Sequence, residues 1–232
     1  MTLRIRDLEA GYGSATVLRG IDLTVPTGSV VALLGANGAG KSTMLRACSG
    51  MLPVRRGSVS LDGRELAGRP SEAFVRAGIG HIPEGRSIFP RMSVAENLEL
   101  FSPRGKVRES FDLAATAFPR LGERRTQLAG TLSGGEQQML ALARTYITRP
   151  TVVLVDEVSL GLAPKIVDEI FEFLATLVAD GTSLLLVEQY VTRALALADY
   201  VYILHKGEIT FAGEPGELDA QDIFREYVGA AL

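Results

Sequence analysis

The run Gly35-Ala36-Asn37-Gly38-Ala39-Gly40-Lys41-Ser42 has the spacing G-x-x-x-x-G-K-[ST], which wraps phosphate when a buried strand precedes it and a helix follows. Gly38 and Gly40 let successive amides turn inward as an anion nest, the start of the next helix adds its dipole, and Lys41 places an ammonium between β- and γ-phosphates. Ser42 offers a hydroxyl ligand to Mg²⁺, and Thr43 completes the phosphate-binding segment. The second constellation is Asp156-Glu157, two carboxylates at the C-terminal end of the apolar run Val152–Val155, where α/β sheets bind ligands. Neighbouring strand residues point to opposite sides. If Asp156 holds the Mg²⁺ shell, Glu157 at the strand's end can turn toward the γ-phosphate and polarise water as a general base. A solvated acidic surface is the lesser alternative for such a pair even alone; beside a phosphate loop the pair reads as hydrolysis of a Mg²⁺-bound nucleotide.

Positioning these groups requires a buried sheet. Val30–Leu34 has no polar alternation and should be covered on both faces, as a central strand leading into the loop. Ser42 to Ser49 reads as the helix that follows, ending at Gly50. The runs 79–82, 152–155 and 184–187 are equally short and apolar and read as sister strands of one sheet. Upstream, Leu3, Ile5, Ile21, Leu23 and Val25 alternate with polar residues, as antiparallel strands exposed on one face do. Between Ser93 and Pro150 the period becomes helical. Ser93-Val94-Ala95-Glu96 and Ser133-Gly134-Gly135-Glu136 each have the capping-box form and should each start a helix. Lys206-Gly207 reads as a hairpin turn, and a last helix is expected near 222–228.

With 24 basic and 27 acidic residues on 232, 47% hydrophobic and 22% charged, the chain is neither disordered nor a histone-like polycation. No apolar stretch approaches the roughly 18 to 20 residues needed to cross a bilayer. The N-terminal residues lack the apolar core of a secretory signal, so a cytoplasmic location is expected. The one cysteine, Cys48, cannot form an internal disulfide, which fits a reducing compartment and a small buried residue. His81 and His205 are not spaced as metal ligands and read as ordinary strand residues.

Leu132-Ser133-Gly134-Gly135-Glu136-Gln137-Gln138, with Ser133 standing 23 residues before Asp156, narrows the class. It resembles the signature of the ABC ATPases, and the resemblance covers nearly the whole chain. It implies a single domain over residues 1–232 of α/β class. That domain would have a phosphate-loop NTPase core with a mostly parallel mixed sheet (1–92 and 151–232), an antiparallel β subdomain within it, and an inserted helical subdomain (93–150). Tyr12 sits where the family stacks an aromatic ring on adenine; its flanking Gly11 and Gly13 would let the ring lie flat, although an ordinary core or surface tyrosine fits too. Ser159-Leu160-Gly161-Leu162 resembles the loop after the family's catalytic glutamate. Ser133 and the amides of Gly134 and Gly135, at a helix N-terminus, form an anion site with no phosphate of their own chain to bind, and the resemblance adds Glu136 to the ATP-binding set. The resemblance therefore implies two subunits head to tail, each phosphate loop closed by the opposite signature.

The segments 82–91 and 186–190 resemble the second ATPase subunit of importers for branched-chain amino acids, with urea and short-amide importers similar. Such a subunit would work with membrane permease subunits, with a copy of itself or a related ATPase subunit, and indirectly with an extracytoplasmic solute-binding protein. It would lie peripherally on the inner face of the membrane. This subgroup lacks the C-terminal regulatory domain of some sugar importers, and a chain ending at Leu232 has no room for one. Two positions depart from the general family pattern in the way this subgroup does. Glu84 stands where most members have a glutamine touching Mg²⁺ and could ligate the metal through oxygen; Gln189 stands where most have a histidine near the γ-phosphate, and orients without titrating. Val158 replaces a common proline, with no functional account. Arg86, Phe89, Arg91, Phe101, Arg104, Phe111 and Phe118 mix aromatic and basic residues in the lobe that, in the family, receives a permease helix. Core phenylalanines with solvated arginines would look the same. The rival readings are a soluble non-transport ABC ATPase and a scaffold that binds ATP without turnover. The mild negative charge gives no nucleic-acid footprint, and intact Lys41, Asp156 and Glu157 oppose the scaffold.

Overall fold

A computed structural model describes residues 1–85 and 87–218. The helix expected near 222–228 and the side chain of Arg86 lie outside the described residues. Two sheets carry the chain. The first is antiparallel, in the order β2 (Ala15–Val25), β1 (Leu3–Tyr12), β4 (Val54–Leu61), β5 (Arg64–Glu65). Its alternation is the expected one: Leu3 and Ile5 are buried while Arg4 and Arg6 face solvent. The second has the order β10 (Glu208–Gly213), β9 (Tyr200–His205), β3 (Val30–Leu34), β8 (Ser183–Val187), β7 (Val152–Asp156), β6 (Ile79–Ile82). Its pairings are parallel except for the β9–β10 hairpin. The fold is therefore the α/β phosphate-loop class expected, with a mixed, mostly parallel sheet.

The absence of alternation in β3 has a direct cause. Val30, Ala32 and Leu34 belong to an apolar cluster shared with α6 (Gly134–Tyr146) and α7 (Pro164–Ala179), whereas Val31 and Leu33 belong to another shared with α1 (Lys41–Cys48) and the antiparallel sheet. Each face of the strand needs its own apolar set. Cys48 lies in the second cluster, where burial pushes its thiol up to about 12. Helix α2 (Ser71–Ala77) precedes β6, and α8 (Val191–Leu197) links β8 to β9.

Residues 93–150 hold α3 (Val94–Glu99), α4 (Val107–Ala117), α5 (Pro119–Glu123) and α6. Both capping boxes form: the amide of Ser93 donates to Glu96 at 2.7 Å, that of Ser133 to Glu136 at 2.9 Å, and each serine hydroxyl accepts the return bond. Met139, Leu140, Leu142 and Ala143 form the buried stripe of α6, continued by Ile147 at its C-cap. Among the described residues, no helix is long and apolar enough to cross a membrane.

The β9–β10 hairpin does more than end the sheet. Its turn residues Lys206 and Gly207 take φ of 47° and 85°; the amide of Gly207 donates to the Ala39 carbonyl at 3.0 Å, and its own carbonyl accepts from the amide of Arg19 at 2.8 Å. A Cβ on Gly207 would stand 1.8 Å from the Val17 carbonyl oxygen. The phosphate loop is thus braced through backbone that tolerates no side chain. Gly207→Ala, strained at positive φ and sterically blocked, is expected to lower unfolding free energy by more than about 1 kcal/mol, measured by urea denaturation.

Candidate nucleotide-binding site

The loop between β3 and α1 closes on itself. Gly35, Gly38 and Gly40 take φ of 151°, 81° and 115°. A Cβ on Gly35 would lie 2.2 Å from the Leu204 carbonyl oxygen of β9, so this glycine is set by close packing as well as by conformation. At Gly38 the added atom would meet nothing within 4 Å, as expected of a residue whose backbone faces open space. The amide of Ala39 donates to Ala36 at 3.1 Å. Lys41 is 7% exposed; its Nζ donates to the carbonyls of Gly35 at 2.8 Å and Ala36 at 3.2 Å and stands 3.7 Å from Glu157 Oε1. Ser42 Oγ donates to Asp156 Oδ1 at 3.1 Å.

Asp156 and Glu157 reach these partners because the strand breaks between them. Asp156 pairs with Val187 in the β7–β8 ladder, whereas Glu157 leaves it with φ of 46°, its amide donating to the Val187 carbonyl at 2.8 Å. That left-handed step overrides the opposite-side geometry of a regular strand. One carboxylate meets Ser42 and the other Lys41, the first two residues of α1. Burial, and then the charges of Glu157 and Glu84, push the Asp156 carboxyl above its usual range, while the Ser42 hydroxyl draws it back.

A cavity of about 510 Å³ occupies this point. Asn37, Gly38, Gly40, Lys41, Ser42 and Thr43 line it from the loop and α1, Glu84 from beyond β6, Glu157 from just past β7, and Val17 and Leu160 close its edges. Its donor set suits a magnesium-bound triphosphate: hydroxyl and carboxylate oxygens, and mutually repelling carboxylates balanced by one lysine. A second cavity, of about 540 Å³ between α4, α5, α6 and α7, has a mostly apolar lining and holds none of these groups.

The remaining residues expected at the site stand apart from the cavity in this chain. Tyr12, at the end of β1, is 44% exposed, and its hydroxyl accepts from Arg46 at 3.1 Å. Gln189 is exposed just past β8 and does not line the cavity. Ser133 and Gly134 start α6, where none of the cavity lining arises. Gly135 has a reason within the chain, since a Cβ there would come 2.8 Å from Ile166 Cγ2 of α7. Glu136 is 6% exposed and pairs with Arg124 at 2.9 Å. Val158 is buried in the cluster around α6 and α7. Of the expected aromatic and basic mixture, Phe111 and Phe118 pack into the core, whereas Phe89 and Phe101 stay partly exposed.

Three residues with no role of their own in the sequence reading join the site to its surroundings. Arg46 reaches Tyr12. Arg144 of α6 donates to the Ser87 carbonyl and lies 3.9 Å over the Phe101 ring and 5.1 Å over Phe89, which links α6 to the segment following Glu84; burial lowers its guanidinium to about 10. Glu188 is 1% exposed and bonds Ser159. A lone charge ending the apolar run 183–187 was its available signal. His81, by contrast, is a strand residue whose imidazole is lowered to about 4 by burial and by Arg46.

The fold and this loop define a phosphate-loop nucleotide-binding protein. The family model described as ABC transporter matches residues 18–159, more than half of the chain. The chain is 44% identical over 201 residues to the high-affinity branched-chain amino acid transport ATP-binding protein BraG of Pseudomonas aeruginosa, covering 85% of this chain and 86% of that one. It is 36% identical over 228 residues to the probable branched-chain amino acid transport ATP-binding protein LivF of Archaeoglobus fulgidus, covering 97% of each. Among solved structures, an ATP-binding subunit of an ABC transporter superposes with TM-score 0.83 at 29% identity over 97% of this chain and 92% of that one. A nucleotide-free ABC cassette gives 0.82 at 25% over 92% of each. The chain belongs to the ABC transporter ATP-binding family and is an ABC-type ATPase.

If Tyr12 stacks on the base, Tyr12→Ala should weaken ATP binding by about 0.5 to 1.5 kcal/mol in a calorimetric titration, and unchanged affinity would remove that role.

Proposed function

We propose that this chain is the ATP-hydrolysing subunit of an importer for branched-chain amino acids. The reading of the solute rests on the similarity to BraG and LivF; the reading of the chemistry rests on Lys41, Ser42 and Glu157 lining one cavity, with Asp156 bonded to Ser42 behind them. Residues 1–232 act as one ABC ATPase domain, in which 1–92 and 151–232 hold nucleotide and 93–150 carry the signature.

In this reading the segment Gly35, Ala36, Asn37, Gly38, Ala39, Gly40, Lys41, Ser42 and Thr43 binds the phosphates of ATP and Tyr12 its base. Lys41 exchanges the carbonyls of Gly35 and Ala36 for phosphate oxygens, which frees Glu157 from its ammonium. Glu157 then takes the proton of the attacking water, and Gln189 orients through a hydrogen bond. Ser42, Asp156 and Glu84 would hold Mg²⁺, which supplies charge neutralisation at the phosphates. Ser133, Gly134, Gly135 and Glu136 close the nucleotide of the opposing subunit, a second copy or a related ATPase. The dimer sits on permease subunits at the cytoplasmic face of the membrane, contacting them through the stretch 86–92 beside Glu84, and the solute itself is met by an extracytoplasmic binding protein.

Phosphate release by Glu157→Gln should fall by about 10² to 10⁴ while ATP still binds; retention of more than about a tenth of the parent rate would contradict the assignment of the base. With its permeases and binding protein in vesicles, hydrolysis should rise with leucine, isoleucine or valine, and a response to urea alone would redirect the solute reading.

A further inference from the structure

Glu188 stands one residue beyond β8, 1% exposed, in a position where an unsatisfied carboxylate would be strongly disfavoured. Its hydrogen bonds go to the two loops that follow β7 and β8. The amide of Ser159 donates to Oε1 at 3.2 Å, the Ser159 hydroxyl donates to Oε2, and the amide of Gln189 donates to the same Oε2 at 3.2 Å. Ser159 is itself fully buried.

Ser159 lies two residues after Glu157, inside the turn that replaces the strand. That turn is held by few bonds of its own. Glu157 reaches back to Val187, Leu160 donates to the Glu157 carbonyl at 3.3 Å, and Leu162 donates to the Ser159 carbonyl at 3.3 Å. Glu157 adopts positive φ, a conformation that a non-glycine residue keeps only when its surroundings impose it. Leu160, 47% exposed, forms part of the cavity wall from the same turn.

We propose that Glu188 is a positioning residue for hydrolysis: it straps the turn after β7 to the loop carrying Gln189, and thereby fixes Glu157 and Leu160 at the cavity. The bonds to Ser159 hold the backbone that aims Glu157. Burial and the charge of Glu157 push the Glu188 carboxyl upward, and its bonds to Ser159 and Gln189 oppose that shift. The inference depends on Glu157 being the base.

The test is steady-state Mg²⁺-ATP hydrolysis by the full chain carrying Glu188→Gln, Ser159→Ala, or both. Glu188→Gln should lower kcat about tenfold or more while the KM for ATP stays within about twofold, because a displaced base costs turnover rather than ground-state binding. Ser159→Ala should lower kcat in the same direction, and the double variant should be no slower than Glu188→Gln alone, since both remove one strap. A kcat within about twofold of the parent for both single variants, a loss confined to KM, or multiplying effects would overturn the proposal. Should Glu188→Gln fail to fold, the kcat and KM of Ser159→Ala decide by the same criteria. If Glu157→Gln remains active, the reading of the base fails; if it is inactive while Glu188→Gln turns over normally, only this inference fails.

Discussion

The structure depends on one buried ammonium. Lys41 lies at the junction of β3 and α1 with 7% of its surface exposed, and it is kept there by two carbonyls of its own loop and by Glu157. A buried charge is tolerated only when paired and hydrogen-bonded, so the loop must fold back over its own lysine and the acidic end of β7 must stand opposite. In the proposed function, those partners are also the ones that phosphate oxygens replace.

Most of the remaining architecture holds that junction still. The two apolar clusters on either face of β3 clamp the strand that delivers the loop, the β9–β10 hairpin bonds the loop through Ala39, and Gly35 packs so close to Leu204 that no side chain fits there. On the far side, Arg144 ties α6 to Ser87, three residues past Glu84. The helix that begins with the signature and the segment beside the cavity are therefore mechanically joined, an arrangement suited to carrying a change at the nucleotide toward a partner.

Much of this was legible in the residues, for reasons that can be named. β3 announced itself by lacking alternation, β1 and β2 by having it, and the serine–glutamate pairs at Ser93 and Ser133 each cap a helix where the pattern placed one. The phosphate loop was legible because its glycines and lysine are demanded by local geometry. The left-handed step at Glu157, which brings both carboxylates to one side, was not, since nothing in Val152–Glu157 marks a positive φ at a glutamate. The bracing by Gly207, the stacking of Arg144 and the burial of Glu188 arise from contacts between residues far apart in the chain. Local pattern is silent about such contacts, and only the packed sheet reveals them.

The central claim is that the triphosphate binds by taking over the hydrogen bonds of Lys41. Calorimetric titration of Mg²⁺-ATP into a folded Lys41→Ala chain tests it most directly. The account expects affinity to fall by at least about tenfold, or about 1.4 kcal/mol, relative to the parent chain; a variant that binds Mg²⁺-ATP as tightly as the parent would contradict it.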